Sequence, residues 1–210
     1  MATVFHIQAT ATPEFSYSLR AARAFLESYS ESHPDDTIDT LDLSQDRIPD
    51  FLGMAARGKY RILHGEPHTD EEARAWKAVV AEIERFKKAD KLVMSVPMWN
   101  FSIPYRLKQY LDIIIQPTYT FSYLPEKGYS GLVTGRPAML FLARGGQYTP
   151  GTVAASFDFQ RPYLEGALGF IGFTEITVAV IEPTLEGGPD VAEQRVQEAI
   201  KKARERAKTF

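Results

Sequence analysis

Five short apolar or alternating runs, separated by longer amphipathic stretches, most constrain what this chain can fold into. The runs lie at residues 4–7, 37–43, 91–96, 137–143 and 174–181, and their pattern predicts β-strands. Helical stretches between strands predict a parallel sheet that is covered on both faces. We therefore expect an α/β, three-layer fold with five strands in the doubly wound order 2-1-3-4-5 and right-handed crossovers.

Apolar residues spaced three to four apart predict the intervening helices. These are a first helix that starts near Pro13 and Ser16, and helices at 70–88, 103–116, 157–170 and 190–208. Residues 44–69 are irregular and long for a loop, so they predict either a functional cover or a short helix. Residues 118–134 contain two strand-like pieces around a Pro125–Gly128 turn, which predicts a protruding hairpin.

The length of 210 residues suits one domain over 1–210, because no linker or repeat divides the chain. A net charge of −3 argues against a nucleic-acid partner. The chain has no cysteine, so any redox chemistry must come from a cofactor. No apolar run reaches membrane-spanning length and no signal peptide is visible, which predicts a cytoplasmic protein without a membrane partner.

The segment after the third predicted strand carries the strongest functional signal. Its residues are Pro97, Met98, Trp99, Asn100 and Phe101. Ser102 and Pro104 then predict a helix start, with Ser102 as the cap and Pro104 in the first turn. Open α/β sheets bind ligands in loops at the carboxyl ends of their strands. Apolar side chains and one amide suit a flat heteroaromatic ring with polar edges, and a flavin is the leading candidate.

The loop after the first predicted strand is rich in hydroxyl groups and leads into a helix. Helix N-termini offer unpaired N–H groups and partial positive charge, so they bind phosphate well. Thr10, Ser16 and Ser18 add hydroxyl donors, which suits the phosphate of flavin mononucleotide. The alternative is that Ser16 merely caps the helix. Glu14 disfavours phosphate through its charge.

The loop after the fourth predicted strand contains Arg144, Gly145, Gly146 and Tyr148. Two glycines allow the backbone to approach a ligand closely, so their N–H groups can donate to ring oxygens and nitrogens. Arg144 can stabilise negative charge near a reduced flavin. The alternative is an ordinary surface turn.

Other motifs give weaker functional signals. No GxGxxG sequence follows the first strand, and no Walker A sequence occurs. His64 and His68 are types that bind metals, but Gly65 and Pro67 intervene and a solvated loop is the favoured interpretation. We therefore predict no metal site. His6 lies within the first strand, which favours a hydrogen-bonded core group over a base.

Together, the three loops resemble those of the FMN-dependent NADH azoreductases, which also act as quinone reductases. The resemblance covers nearly the whole chain in the same order. It rests on Ser16-Tyr17-Ser18, the segment 97–101, Pro104, Leu107, Lys108, Asp112, residues 131–135, Arg144-Gly145-Gly146 and residues 168–172. It implies a flavodoxin-like fold and a homodimer with active sites at the interface. It also implies ping-pong transfer, in which NADH or NADPH reduces FMN and the flavin then reduces a quinone or an azo compound.

The resemblance also implies where the ligands lie. The phosphate would bind near Thr10, Ser16, Tyr17 and Ser18, and the ring and ribityl chain near Pro97, Met98, Trp99, Asn100 and Phe101. The ring edge would contact Ala143, Arg144, Gly145 and Gly146. Substrate would meet Tyr119, Phe121, Tyr123 and Tyr148. For the hairpin aromatics, which can come from the partner subunit, packing within the hairpin is an equally weighted alternative.

Two departures from the family stand out. The family often has serine at Ala9, Thr10 and Ala143, so phosphate affinity is expected to fall and one side-chain contact near the ring is lost. Trp99 replaces the usual tyrosine, which is expected to alter acceptor preference more than flavin binding.

Two rival functions remain open on the sequence. A flavin-binding electron carrier or sensor is disfavoured by the extra hairpin and the long segment 44–69, which a carrier does not need. An interaction protein that has lost its cofactor is left open by Ala9 and Ala143, but the aromatic and Gly-Gly loops disfavour it.

Overall fold

The computed structural model describes residues 1–210 as seven strands and six α-helices. The strands are β1 (Thr3–Gln8), β2 (Thr37–Asp42), β3 (Lys91–Pro97), β4 (Phe121–Leu124), β5 (Gly128–Gly131), β6 (Pro137–Ala143) and β7 (Glu175–Ile181). The helices are α1 (Tyr17–Ser32), α2 (Gly53–His64), α3 (Asp70–Lys88), α4 (Tyr105–Ile114), α5 (Arg161–Ile171) and α6 (Gly188–Ala207). Short 3₁₀ turns lie at Pro13–Phe15 and Val153–Phe157.

The main sheet is parallel and has the order β2-β1-β3-β6-β7. Since β4 and β5 form a separate antiparallel hairpin, this order is the predicted 2-1-3-4-5, and the prediction is confirmed. In register, Gln8 lies opposite Ser95, and Pro97 lies opposite Ala143. The carboxyl ends of β1, β3 and β6 therefore meet at one edge.

Each face of the sheet has its own hydrophobic core, because successive side chains of a strand point to opposite faces. In β1, Phe5 and Ile7 join the larger core of 29 buried residues with α3, α4 and α5. Val4 joins the smaller core of 16 buried residues with α1 and α6. This is the three-layer arrangement that the alternating sequence predicts.

The segment 44–69 contains helix α2, which is one of the two structures that its irregular sequence predicts. Glu72 of α3 holds α2 in place through Arg57 at 3.1 Å and Arg61 at 2.7 Å. Gly58 makes the approach possible, since a Cβ there would lie 2.3 Å from the backbone oxygen of Glu72. Glu72 also completes a capping box with Thr69, which fixes the start of α3 at the predicted residue.

Two predicted helix starts were wrong. Helix α4 begins at Tyr105 and not at residue 103, and Ser102 does not cap it, because Ser102 pairs with Trp99 across a tight turn. In the region predicted as a helix over 157–170, a 3₁₀ turn ends at Phe157 and α5 begins only at Arg161. There, Asp158 accepts the N–H groups of Gln160 and Arg161, and these bonds set the start.

The predicted hairpin is present as β4 and β5. It packs backbone to backbone on the end of α5, where a Cβ on Gly131 would lie 2.3 Å from the backbone of both Ile171 and Gly172. Among the helices, none is long and apolar enough to cross a membrane.

Candidate functional site

Three loops meet at the carboxyl edge of the sheet, where the sequence predicts a ligand site. Two backbone hydrogen bonds fix their spacing: Ala9 donates to the oxygen of Ser95 at 3.0 Å, and Met98 donates to the oxygen of Ala143 at 2.8 Å. The loops after β1, β3 and β6 therefore lie side by side. This is the position at which doubly wound sheets bind ligands.

The first loop places hydroxyl groups at the N-terminus of α1. Ser16 is the N-cap, and its Oγ accepts the N–H of Leu19 at 3.2 Å and contacts Ser18 Oγ at 3.2 Å. Helix geometry leaves the N–H groups of Tyr17 and Ser18 without acceptors inside the helix. Thr10 lies buried at the start of the same loop. Ser16 thus caps the helix, as the alternative interpretation has it, and still leaves N–H donors for an anion.

The second loop is a two-residue turn between Trp99 and Ser102. Each donates its N–H to the oxygen of the other, at 2.9 and 3.0 Å. The central residues Asn100 and Phe101 have φ values of 46° and 71°. Two positive φ values characterise the type I′ turn, which normally contains asparagine and glycine.

Phe101 is the unusual residue of this turn, because a bulky side chain at positive φ is strained. Its oxygen accepts the N–H of Phe159 at 3.0 Å, and its ring lies 5.2 Å from that of Phe157. Even so, 46% of the residue is exposed. The turn therefore holds an aromatic ring at the surface, in spite of the strain, beside Trp99, which is 40% exposed. Strained residues of this kind cluster at functional sites.

The third loop offers backbone donors. The N–H groups of Gly145 and Gly146 have no acceptor within the protein. The next loop also lies close to the glycines: a Cβ on Gly145 would lie 2.8 Å from Leu185 Cδ1, and one on Gly146 would lie 2.9 Å from Glu186 Oε1. The loop after β7 thus packs directly on one side of them.

The side chain of Arg144 turns into the protein. Its side chain is 2% exposed, and its Nη2 lies 2.9 Å from Asp158 Oδ2 although no N–H of Nη2 is aligned with an acceptor. Its Nη1 lies 3.4 Å from Glu182 Oε2, and its Nε donates to Gln160 Oε1 at 3.0 Å. The guanidinium is therefore committed to internal partners that hold the loop, and its role in stabilising flavin charge stays a prediction.

Asp158, Gln160 and Glu182 are polar residues that the sequence analysis missed. Glu182 also accepts the N–H of Tyr148 at 3.0 Å and the hydroxyl of Thr149. These partners lie 14, 16 and 38 positions from Arg144, so no local pattern joins them. A buried arginine needs hydrogen-bond acceptors, and this requirement is the only sequence-level reason to look for these three residues.

The predicted substrate residues divide into separate groups within one chain. Tyr148 lies 6.5 Å from the ring of Phe101. Phe121 and Tyr123 pack with Tyr129, at 6.0 and 4.9 Å between ring centroids, on the hairpin surface. Tyr119 packs edge-on against Trp76 of the core at 5.8 Å. The hairpin-packing alternative therefore describes Phe121 and Tyr123 within one chain, whereas Tyr119 packs against the core.

Two open grooves flank the turn. One, of about 230 Å³, lies between the first loop and Trp99, and it is bordered by Thr10 and Arg106. The other, of about 560 Å³, runs from Trp99 and Asn100 to Lys108 and Tyr163. The turn thus stands between two accessible surfaces.

His6 lies below the site in β1. Its Nε2 is 3.1 Å from Ser95 Oγ. Burial lowers the pKa of His6 to about 4, with a smaller contribution from Arg23, so the imidazole is neutral at pH 7. His6 is the hydrogen-bonded core group that the sequence predicts.

The sequence profile described as "Flavodoxin-like fold" matches residues 2–207. The chain belongs to this flavodoxin-like family. The flavodoxin-like chain is 50% identical over 210 residues to the FMN-dependent NADH:quinone oxidoreductase of Nitratidesulfovibrio vulgaris strain DP4, and all of both chains is covered. It is 38% identical to FMN-dependent NADH:quinone oxidoreductase 9 of Burkholderia lata, again over all of both chains.

Solved structures agree with this assignment. The azoreductase of Bacillus anthracis strain Sterne is 34% identical, with a TM-score of 0.91 and full coverage of both chains. The FMN-dependent NADH-azoreductase of B. anthracis strain Ames Ancestor, solved in complex with FMN, is 27% identical with a TM-score of 0.89, and 99% of this chain and 98% of that chain are covered. The predicted fold and family of the flavodoxin-like chain are both confirmed.

Proposed function

We propose that this chain is an FMN-dependent NADH:quinone oxidoreductase. The observation that carries the proposal is the convergence of three loops at one sheet edge. One loop presents a helix N-terminus, one a strained aromatic turn, and one free glycine N–H groups. The names of the relatives that are 50% and 38% identical support FMN as cofactor, NADH as donor and a quinone as acceptor.

The donors present fit FMN. The N–H groups of Tyr17 and Ser18 and the hydroxyl of Thr10 would hold the phosphate, for which no lysine is needed. Ala9 and Ala143 are buried and supply no hydroxyl, so backbone groups bear most of the binding. Weaker phosphate affinity than in serine-containing relatives stays a prediction.

The aromatic turn and the glycine loop would hold the ring. Trp99 and Phe101 supply apolar surface, and Asn100 supplies an amide that has no hydrogen bond within the protein. The N–H groups of Gly145 and Gly146 donate no hydrogen bond within the protein and are free to donate to ring oxygen or nitrogen atoms. Bound FMN supplies the hydride and electron chemistry. The residues of the site bind and orient the ring, and their apolar surfaces exclude water.

We also propose that donor and acceptor use the site in turn, in a ping-pong sequence, and that azo compounds are alternative acceptors. The azoreductase names of the neighbours with TM-scores of 0.91 and 0.89 support the azo activity. A homodimer would place the exposed aromatic side chains of the turn and the hairpin against a second copy. A cytoplasmic location stays a prediction.

The proposal is tested on purified protein. We expect a yellow protein, or one that takes up added FMN, and steady oxidation of NADH when a quinone is present. Parallel lines in double-reciprocal plots would support ping-pong transfer, and size-exclusion chromatography with light scattering gives the subunit number. A colourless protein that does not retain added FMN refutes the proposal. Bound FMN without NADH turnover would indicate an electron carrier instead.

A further inference from the structure

A buried polar cluster lies directly behind the loops of the site. It consists of Arg144, Asp158, Gln160 and Glu182, which come from three parts of the chain. Gln160 is completely buried. Buried polar groups of this kind are stable only when their partners are satisfied, so the cluster fixes the relative positions of the segments that it joins.

Gln160 joins two of the three site loops through one amide. Its Oε1 accepts from Arg144 Nε at 3.0 Å, one residue beyond the end of β6. Its Nε2 donates to the oxygen of Val96 at 3.2 Å, one residue before the end of β3. A side chain with both a donor and an acceptor is required for this arrangement, because one partner is an N–H group and the other is a carbonyl.

The neighbouring residue continues the connection. Phe159 donates its N–H to the oxygen of Phe101 at 3.0 Å, so residues 159 and 160 contact both the strand before the turn and the turn itself. Phe101 holds a positive φ of 71°, a conformation that persists only where surrounding contacts impose it. The buried amide and the adjacent N–H supply such contacts.

We propose that Gln160 is a positioning residue for the flavin site, which rests on the proposed function. It touches neither flavin nor substrate. Together with the Met98–Ala143 backbone hydrogen bond, its amide sets the distance between the aromatic turn and the Gly145–Gly146 loop, the two loops that would hold the ring. Without the amide, only the pairing of β3 with β6 relates the turn to the loop, and we expect the ring to be bound more weakly and in a changed environment.

The test compares Gln160→Met, which keeps the length of the side chain and removes both bonds, with Gln160→Asn. The asparagine variant keeps the amide but is shorter by one methylene, so it cannot reach both partners. It also provides a milder change if the methionine variant does not fold. The matched control is Ser95→Ala on β3, the strand that also carries Val96. It removes a buried side-chain hydrogen bond to His6 of β1 and no contact with the turn.

FMN binding is measured by the quenching of flavin fluorescence, together with the visible absorption spectrum of the bound flavin and the melting temperature. For both Gln160 variants we expect the dissociation constant of FMN to rise roughly tenfold, the factor for about 1.4 kcal/mol. We also expect a shift of the flavin absorption bands. Ser95→Ala should lower the melting temperature and leave both flavin measurements unchanged.

The proposal is overturned if the Gln160 variants bind FMN with the affinity and spectrum of the wild type. It is equally overturned if Ser95→Ala weakens FMN binding as much as they do, since the effect would then be general loss of stability. Failure of the wild-type protein to bind FMN is a different result, and it refutes the proposed function.

Discussion

Replacing Phe101 with glycine should separate the stability of the protein from its flavin binding. Three effects oppose one another in the free energy of unfolding of the apoprotein. Removing the Cβ relieves left-handed strain of about 1–2 kcal/mol. Glycine adds unfolded-chain entropy that costs about 0.5–1 kcal/mol. Losing a ring that is 46% exposed costs about 1–1.5 kcal/mol, roughly half the value for full burial.

These contributions nearly cancel, so Phe101→Gly should change the free energy of unfolding by about 1 kcal/mol or less, or about 2–4 °C in melting temperature. FMN affinity should nevertheless fall roughly three- to tenfold, because an aromatic contact worth about 0.5–1.5 kcal/mol is lost. Urea unfolding of the apoprotein and FMN titration measure the two quantities independently.

Asn100→Gly is the control for strain in the same turn, since it frees the backbone without removing a ring. It should leave stability unchanged or slightly raised. A loss of more than about 2 kcal/mol in Phe101→Gly would approach the value for a core phenylalanine and would refute the assignment of strain. Unchanged FMN affinity would refute the placement of Phe101 at the flavin.

Three further predictions concern stability. Because burial lowers the pKa of His6 to about 4, the unfolded imidazole binds a proton at a higher pH than the folded one. Stability should therefore fall by about 3 kcal/mol between pH 6.5 and pH 4, and His6→Gln should flatten that part of the profile in urea titrations. Gly58→Ala should lower the free energy of unfolding by about 1–3 kcal/mol and speed proteolysis within 44–69, because the new Cβ meets the backbone of Glu72. The control is Gly169→Ala, where nothing lies within 4 Å of the new Cβ; it should stabilise α5 by about 1 kcal/mol in thermal melts. Arg144→Met should cost about 3–5 kcal/mol, nearly independent of salt, since it leaves Asp158 and Glu182 without their buried cation; a loss that disappears in 1 M salt would contradict this.

Local patterns were sufficient for the strands and for most helices. Residues 137–143 are apolar throughout because β6 is buried on both faces, and the structure has the same bounds. Helix α3 was predicted over its full length, because an apolar stripe marks it within one segment, and the structure adds a capping box at its start. Where the determining contact is local, the sequence shows it.

Patterns failed where the determining contact is distant. Ser102 has the residue type of a helix cap, but its N–H and oxygen are used by Trp99, and only the turn geometry shows this. The carboxylate partners of Arg144 are Asp158 and Glu182, which are distant in the chain and were not found from the sequence. The positive φ values of Asn100 and Phe101 likewise follow from contacts that no local pattern encodes.

The attachment of the hairpin has a consequence for how this chain can diverge. At Gly131, every missense change adds a Cβ that would overlap the backbone of Gly172, so a saturation library should be depleted of all variants at this codon. Tyr123 and Tyr129, by contrast, are largely exposed and free to vary. Selection can therefore exchange the aromatic side chains on the hairpin surface, while the glycine that attaches the hairpin to α5 stays invariant.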